Sequence, residues 1–403
     1  MFESLKYKVW KKLTKKWVRN IKVREAAFAE AARMKTRAQS PPVCMDTSEE
    51  EYEKHAVGHQ IIDVMGMLYS GSSAVIGLLG EFDNVDTYGF EDSVWSKKGM
   101  QRHGAECTFF SHSGFWGMVN AFGGDPLQCD IMIKRFIINL NRYYDNKGQT
   151  DRDRIIDLYG EHFHTITHKF LCEILAINDY TRSVMQKRAF PVVSYTGADD
   201  DYTGCSFVKG EGKQRYYFYE FASLSKKEFH ERVATFLVDF FSILGNKNYI
   251  AYDHLLFDDH LENINKYITP PVKQIVVVRD PRDQFLSAFR QDTRFLPRNV
   301  GEYKDFLERQ YQILSKANPN RLYVRFEDLV LKYEDTTALI MDFIGLKKEN
   351  HVRPKSVFDP AISSVNVGAY KNFHESNFME QIGRELIEYC YNSEKQETET
   401  QTK

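Results

Sequence analysis

The sequence predicts a three-layer α/β fold, a central parallel β-sheet flanked by helices, with a largely helical insertion. Three observations lead there. The run Gln274–Val278 (QIVVV) is continuously apolar, as a strand buried on both faces must be. Further strand signals occur at His59–Leu68, Asn248–Tyr252 and Arg321–Val324. Residues 100–250 read as mainly helical, with clear helical spacing at Asp130–Tyr144 and Phe229–Leu244.

The elements follow in order along the 403 residues. Residues 1–37 carry twelve Lys/Arg against Glu3, Glu25 and Glu30. They read as a basic amphipathic helix with Trp10, Leu13, Trp17, Ile21 and Phe28 near one face. Such a helix either docks on its own domain or lies on an anionic membrane surface. Residues 38–58, with Pro41-Pro42 and an acidic run, read as a linker. The main domain spans 59–392. Its first strand, His59–Leu68, runs into a glycine-serine turn and an apolar helix at Ala74–Leu79, and a second strand follows. The insertion covers about 100–245, and Ser194–Lys213 within it reads as a loop or small hairpin. The last eleven residues, SEKQETETQTK (393–403), read as a disordered tail.

Composition narrows the function classes. A hydrophobic fraction of 42% and an aromatic fraction of 14% suit a globular core. The net charge of -2 argues against nucleic acid as a partner. The six cysteines include no CxxC or other metal spacing, so no metal site is expected and reduced thiols are. No stretch of about 18 apolar residues and no secretory signal is evident, which points to a cytoplasmic location, with peripheral membrane contact open through residues 1–37.

Two segments carry phosphate chemistry. In Gly66–Ser73 (GMLYSGSS), a turn between strand and helix points successive N–H groups at one spot, where the helix dipole favours an anion. Gly71 permits the tight path, and Ser70, Ser72 and Ser73 can donate hydroxyls. The loop lacks the GK[ST] ending of a Walker A sequence, which disfavours a kinase or NTP hydrolase. The second segment is Val278–Asp283 (VRDPRD), followed by Ser287. Arg279 emerges at a strand's carboxyl end, where open α/β sheets bind ligands, and can grip phosphate in a bidentate contact. Pro281 suits the first turn of the next helix, and Ser287 lies two turns in.

With these residues the chain resembles the PAPS-dependent sulfotransferases, enzymes of P-loop-like fold, and among them the bacterial and glycan-type members. RDPRD with its following serine is similar to that family's 3′-phosphate motif, and the 66–73 loop to its 5′-phosphosulfate loop. Tyr323–Leu329 (YVRFEDL), Phe343–Leu346 (FIGL) and Val367–Lys371 (VGAYK) resemble later family segments in the expected order. The resemblance implies that Arg279 and Ser287 hold the 3′-phosphate of PAPS, or of the product PAP. Ser70, Gly71, Ser72 and Ser73 would cradle the 5′-phosphosulfate, with Gly368 and Lys371 as secondary contacts.

Two departures stand out. Tyr69 occupies the position where the family usually has Lys or Arg, and Asn366 one where an arginine is common. Lys134 and Arg135 are candidate replacement cations.

For the base, the resemblance to glycan sulfotransferases points first to Glu91, in Tyr88–Ser93 (YGFEDS); second is the pair Asp253 and His254, which follows the NYIAY strand where a residue can face the cleft. His112 is a further candidate near an acceptor. His162, His164 and His168 do not share one helical face and are read as surface or core residues. The insertion's aromatic residues, among them Phe109, Phe110, Phe115, Trp116, Tyr143, Tyr144 and the run 216–219, suit a carbohydrate or glycolipid acceptor, such as a bacterial surface polysaccharide precursor. The alternatives are a small hydroxylated metabolite as acceptor, or a non-catalytic PAP- or glycan-binding homologue.

Overall fold

The structure is a computed structural model. It describes residues 53–66, 69–88, 109–111, 114–144, 155–175, 208–210, 213–215, 221–245, 247–256, 260–290, 299–314, 317–373 and 376–391. By internal packing the chain divides into Met1–Glu51 and Tyr52–Lys403. The first unit lies outside the described residues, as do most of the expected linker and the whole expected tail.

Within the expected linker, His55–Ala56 forms a short strand paired in parallel with Ile268–Thr269, and then come strand β1 (Gln60–Gly66), helix α1 (Ser72–Leu79) and strand β2 (Val85–Tyr88). The insertion supplies α2 (Phe115–Ala121), α3 (Pro126–Tyr144), α4 (Ile155–Ile174), the hairpin β3 (Val208–Gly210) and β4 (Lys213–Arg215), and α5 (Lys226–Phe241). Then come β5 (Tyr249–Asp253), β6 (Lys273–Val278), α6 (Pro281–Arg290), α7 (Val300–Leu314), β7 (Arg321–Arg325), α8 (Phe326–Leu331), α9 (Tyr333–Ile344) and α10 (Ser376–Glu385).

Five strands form one parallel sheet in the order β2-β5-β1-β6-β7. Val64 pairs with Asp253 on one side of β1 and with Ile275 on the other. The chain leaves β1 toward one edge and returns across it to β6, so the strand order reverses beside β1. Open α/β sheets bind ligands outside the strand carboxyl ends at such a reversal. The apolar runs are continuous because helices cover both faces: Ile61, Ile62, Val64, Ile275, Val276 and Val277 are fully buried.

One core cluster joins α1, α8 and α9 to one face of the sheet. Another joins α6, α7 and α10 to Met65, Val276 and Val278 on the other face. The third is the insertion's own core, and it is largely aromatic. Phe109 stacks on Phe240 at 5.7 Å between ring centroids, and Phe115 on Phe236 at 5.2 Å. Helix α5 begins with a reciprocal cap. Ser225 Oγ accepts from the Glu228 N–H at 3.2 Å, and the Glu228 carboxylate accepts from the Ser225 N–H at 2.8 Å.

The aromatic core bears on an expectation. Phe109, Phe110, Phe115 and Trp116 are sealed inside it and offer no ring face to an acceptor. Composition cannot separate a core ring from a sugar platform, since both need the same residue types. The 216–219 run lies outside the described residues. Among the described residues no helix is long and apolar enough to cross a membrane, and no group of three or more His, Cys, Asp or Glu could hold a metal ion.

Candidate functional site

Four strand ends converge on one place. The loop after β1 carries Tyr69 and Ser70, that after β5 carries His254, that after β6 carries Arg279, and α8 begins at the end of β7. Met67 and Leu68 of the phosphate loop lie outside the described residues.

The loop depends on two glycines. A Cβ on Gly66 would fall 2.0 Å from Ser70 Oγ and 3.0 Å from the Val277 carbonyl, so only glycine lets the loop fold back on itself. Gly71 has φ +95°, and a Cβ there would meet the Phe326 ring at 2.5 Å. It stands at the N-terminus of α1, with no side-chain cap on that helix. The first N–H groups of α1, from Ser72 and Ser73 onward, are the kind that accept an anion. Ser70 is buried, and its hydroxyl has no hydrogen-bond partner among the described residues. A buried, unsatisfied hydroxyl is costly, and a phosphate oxygen at this loop would satisfy it.

Gly71→Ala is therefore expected to lower folding stability by about 1–3 kcal/mol, through backbone strain plus overlap with Phe326. Gly123 also has positive φ, but a Cβ there would meet nothing within 4 Å. Its alanine variant should cost less than half as much in denaturant unfolding; equal costs would remove the packing argument.

Arg279 is 6% exposed. Its guanidinium donates to Ser287 Oγ at 3.0 Å, to the Tyr69 carbonyl at 3.2 Å and to the Asn366 carbonyl at 2.6 Å. It also lies 4.9 Å from the centre of the Phe326 ring. Its Nε has no partner among the described residues. Burial depresses its proton affinity, opposed by Asp283, Glu327 and Asp280, and an arginine keeps its charge there. Arg279 thus ties the phosphate loop to α6 and to the 366–371 segment.

That segment is held from below. Asp283, in the first turn of α6, accepts from the Gly368 N–H at 2.6 Å and the Tyr370 N–H at 2.9 Å. Burial raises the Asp283 carboxyl, while those two N–H groups pull it down. Gly368 has φ +69°, and Lys371 is exposed beside it. Asn366 enters through its backbone carbonyl, a contact that residue type does not predict.

His254, at the end of β5, has φ +62°, unusual for a non-glycine residue. Its Nδ1 lies 2.7 Å from Asp253 Oδ1 and its Nε2 3.0 Å from the Gly66 carbonyl. Burial alone would lower its pKa, but Asp253, the Gly66 carbonyl and Asp63 raise it to about 9. Nε2 also lies 3.4 Å from the Gly66 N–H, and the raised pKa favours the protonated ring, in which Nε2 donates to the carbonyl that opens the phosphate loop. Behind it, Asp63 is fully buried on β1 and accepts from the Leu255 N–H at 2.9 Å and Gln274 Nε2 at 2.8 Å. Burial raises the Asp63 carboxyl to about 6, against those hydrogen bonds. Asp63 had no sequence signal beyond a single acid within an apolar strand.

The other expected residues divide as follows. Glu91 and His112 lie outside the described residues. Tyr69 has φ +63° and packs against the cluster of Met65, Val278 and Phe285. Lys134 is buried on α3 and bonded to Asp130 at 2.7 Å. On α4, His162 is exposed and the His164 and His168 rings stand 5.8 Å apart.

Residues 209–350 match the sequence profile described as the sulfotransferase family. The matched stretch contains the Arg279 motif and Glu327, and excludes the 66–73 loop and the 366–371 segment. The match supports a sulfotransferase family for this chain. No curated protein matches the chain in sequence. Among solved structures, the sulfotransferase domain from the Synechococcus PCC 7002 olefin synthase is similar at 11% identity, over 85% of this chain and 99% of that one, with a TM-score of 0.36.

Proposed function

We propose that the protein moves a sulfuryl group from PAPS to a hydroxyl of a carbohydrate or glycolipid acceptor and releases PAP. What supports the reading is the meeting of Arg279, Ser287 and the phosphate loop at the strand ends, with Ser70 Oγ and Arg279 Nε buried and lacking partners among the described residues. Arg279 and Ser287 would take the 3′-phosphate; Ser70, Gly71, Ser72 and Ser73 the 5′-phosphosulfate; Gly368 and Lys371 would close over the nucleotide.

The donor supplies a sulfuryl group whose bond to the 5′-phosphate oxygen breaks as the acceptor oxygen bonds to sulfur. Glu91 would take the acceptor proton. Asp253 and His254 are the second candidates; the Asp253 carboxylate 2.7 Å from the ring favours protonated His254, which donates rather than accepts. At Tyr69 the loop has a phenol where a cation would help the leaving phosphate. The imidazolium of His254 at Gly66 would supply positive charge nearby. The acceptor class rests on the glycan-type resemblance. The basic residues 1–37 would bring a cytoplasmic enzyme to a membrane-bound acceptor.

The packing of Tyr69 favours one second reading, a non-catalytic PAP-binding homologue. Incubation with radiolabelled PAPS and a panel of glycans, glycolipids and phenols decides between them. Transfer to a glycan or glycolipid is expected. PAP binding without transfer to any acceptor would favour the binding protein, and transfer to phenols alone would replace the acceptor class.

A further inference from the structure

Glu327 lies in the first turn of α8 and is 1% exposed. One carboxylate oxygen accepts from the Asp280 N–H at 2.8 Å, and the other has no hydrogen-bond partner among the described residues. The Asp280 N–H belongs to the residue next to Arg279, so Glu327 fixes the turn from which Arg279 projects. Asp280 in turn accepts from the Arg282 side chain and from the Tyr391 N–H at 3.0 Å. The Tyr391 hydroxyl donates to Asp328 at 3.0 Å.

The charged and titratable groups that act on Glu327 are Asp280 and Arg279 at the end of β6. Tyr311 from α7 and Tyr391 from the C-terminal segment also sense it. Arg279 is the cation that acts on Glu327, and its hydrogen bonds go to Ser287 and two backbone carbonyls; Arg325, at the end of β7, acts on the same two tyrosines. Burial already raises the Glu327 carboxyl to about 7, against the Asp280 N–H.

A phosphate dianion arriving at Arg279 would add its charge to the carboxylates already grouped around that residue, Asp280, Asp283 and Glu327. Like charges in one site do not both stay ionised; one takes a proton. The half-bonded carboxyl is the group placed to do so. Its bonded oxygen goes on holding Asp280, and its free oxygen carries the proton.

We infer that Glu327 is a positioning residue of the 3′-phosphate site that takes up a proton from solvent when a 3′-phosphorylated nucleotide binds at Arg279. This rests on the nucleotide site proposed above. The consequence is affinity that weakens as pH rises, independently of any acceptor.

Calorimetric titration of the full chain with PAP at pH 8, in two buffers of different ionisation enthalpy, measures the proton count. Wild type is expected to take up about 0.5–1 proton per PAP, with affinity falling up to about tenfold per pH unit between pH 7 and 9. Glu327→Gln keeps a carbonyl oxygen for the Asp280 N–H but cannot titrate. It should bind PAP with little uptake at pH 8, where His254 is already largely protonated, and with affinity nearly flat from pH 7 to 8, falling only as His254 loses its proton toward pH 9. Tight PAP binding to wild type without proton uptake would overturn the inference even if the variant fails to fold. Equal uptake by both proteins would also overturn it. Absence of PAP binding by wild type would overturn the nucleotide site itself, and the inference with it.

Discussion

Replacing Arg279 by alanine is expected to weaken PAP binding at least about 100-fold, or about 2.8 kcal/mol, in calorimetry. The guanidinium is a buried cation at the strand ends, and charge-assisted bonds to phosphate are among the strongest a side chain makes. Its removal also releases the Tyr69 and Asn366 carbonyls, which it holds at 3.2 and 2.6 Å. The loop and the 366–371 segment would lose their common tie. Asp283, Asp280 and Glu327 would lose a nearby positive charge, so the melting temperature should fall as well. Ser287→Ala separates the two effects. It removes one hydroxyl contact, keeps the cation, and should cost PAP affinity about tenfold at most, with little change in melting temperature. Unchanged affinity in a folded Arg279→Ala protein would remove the nucleotide site from this place.

The second large effect concerns the proton of the acceptor. Glu91→Gln is expected to lower kcat about 100-fold or more while leaving PAP affinity intact, the usual cost of a lost general base. The competing residue makes an opposite prediction in pH. With its pKa raised to about 9, His254 could accept a proton only as pH approaches that value. If it were the base, kcat at saturating donor would climb about tenfold per unit from pH 7 toward 9. If Glu91 is the base and keeps an ordinary carboxylate pKa, kcat is flat across that range. Saturating donor matters, because it removes the pH dependence of binding that Glu327 introduces. His254→Asn should then lower kcat less than Glu91→Gln. A larger loss in the His254 variant, with a rising profile in wild type, would exchange the two roles.

Much of the frame was readable from residue types. The runs at Gln274–Val278 and Asn248–Tyr252 signalled buried parallel strands because short apolar runs with β-branched or aromatic residues suit a strand covered on both faces. The observed strand Lys273–Val278 begins one residue earlier, and Tyr249–Asp253 lies one residue later. Pro281 starts α6, as expected from its missing N–H. The glycine-serine loop was legible as a turn, but the reason for Gly71 was not: it is Phe326, more than two hundred residues away, that excludes a side chain there.

What stayed hidden shares one physical origin. The carbonyls of Tyr69 and Asn366 and the N–H groups of Gly368, Tyr370 and Asp280 build the site through main chain, which every residue possesses. Asp63 and Glu327 are single acids whose importance comes from burial, and burial is set by elements distant in sequence. Residue type left the insertion's aromatic residues open between core and sugar platform, with at least half of them expected in the core. Phe109, Phe110, Phe115 and Trp116 have the chemistry of a sugar platform, yet their neighbours on α3, α4 and α5 enclose them.

The central claim is that the strand-end site recognises a 3′-phosphate. Calorimetry of the wild-type chain with PAP and with adenosine 5′-phosphate, which lacks only that group, tests it most directly. PAP is expected to bind at least about 100-fold more tightly, since Arg279 and Ser287 would contact only the group that differs. Equal affinities would contradict the account.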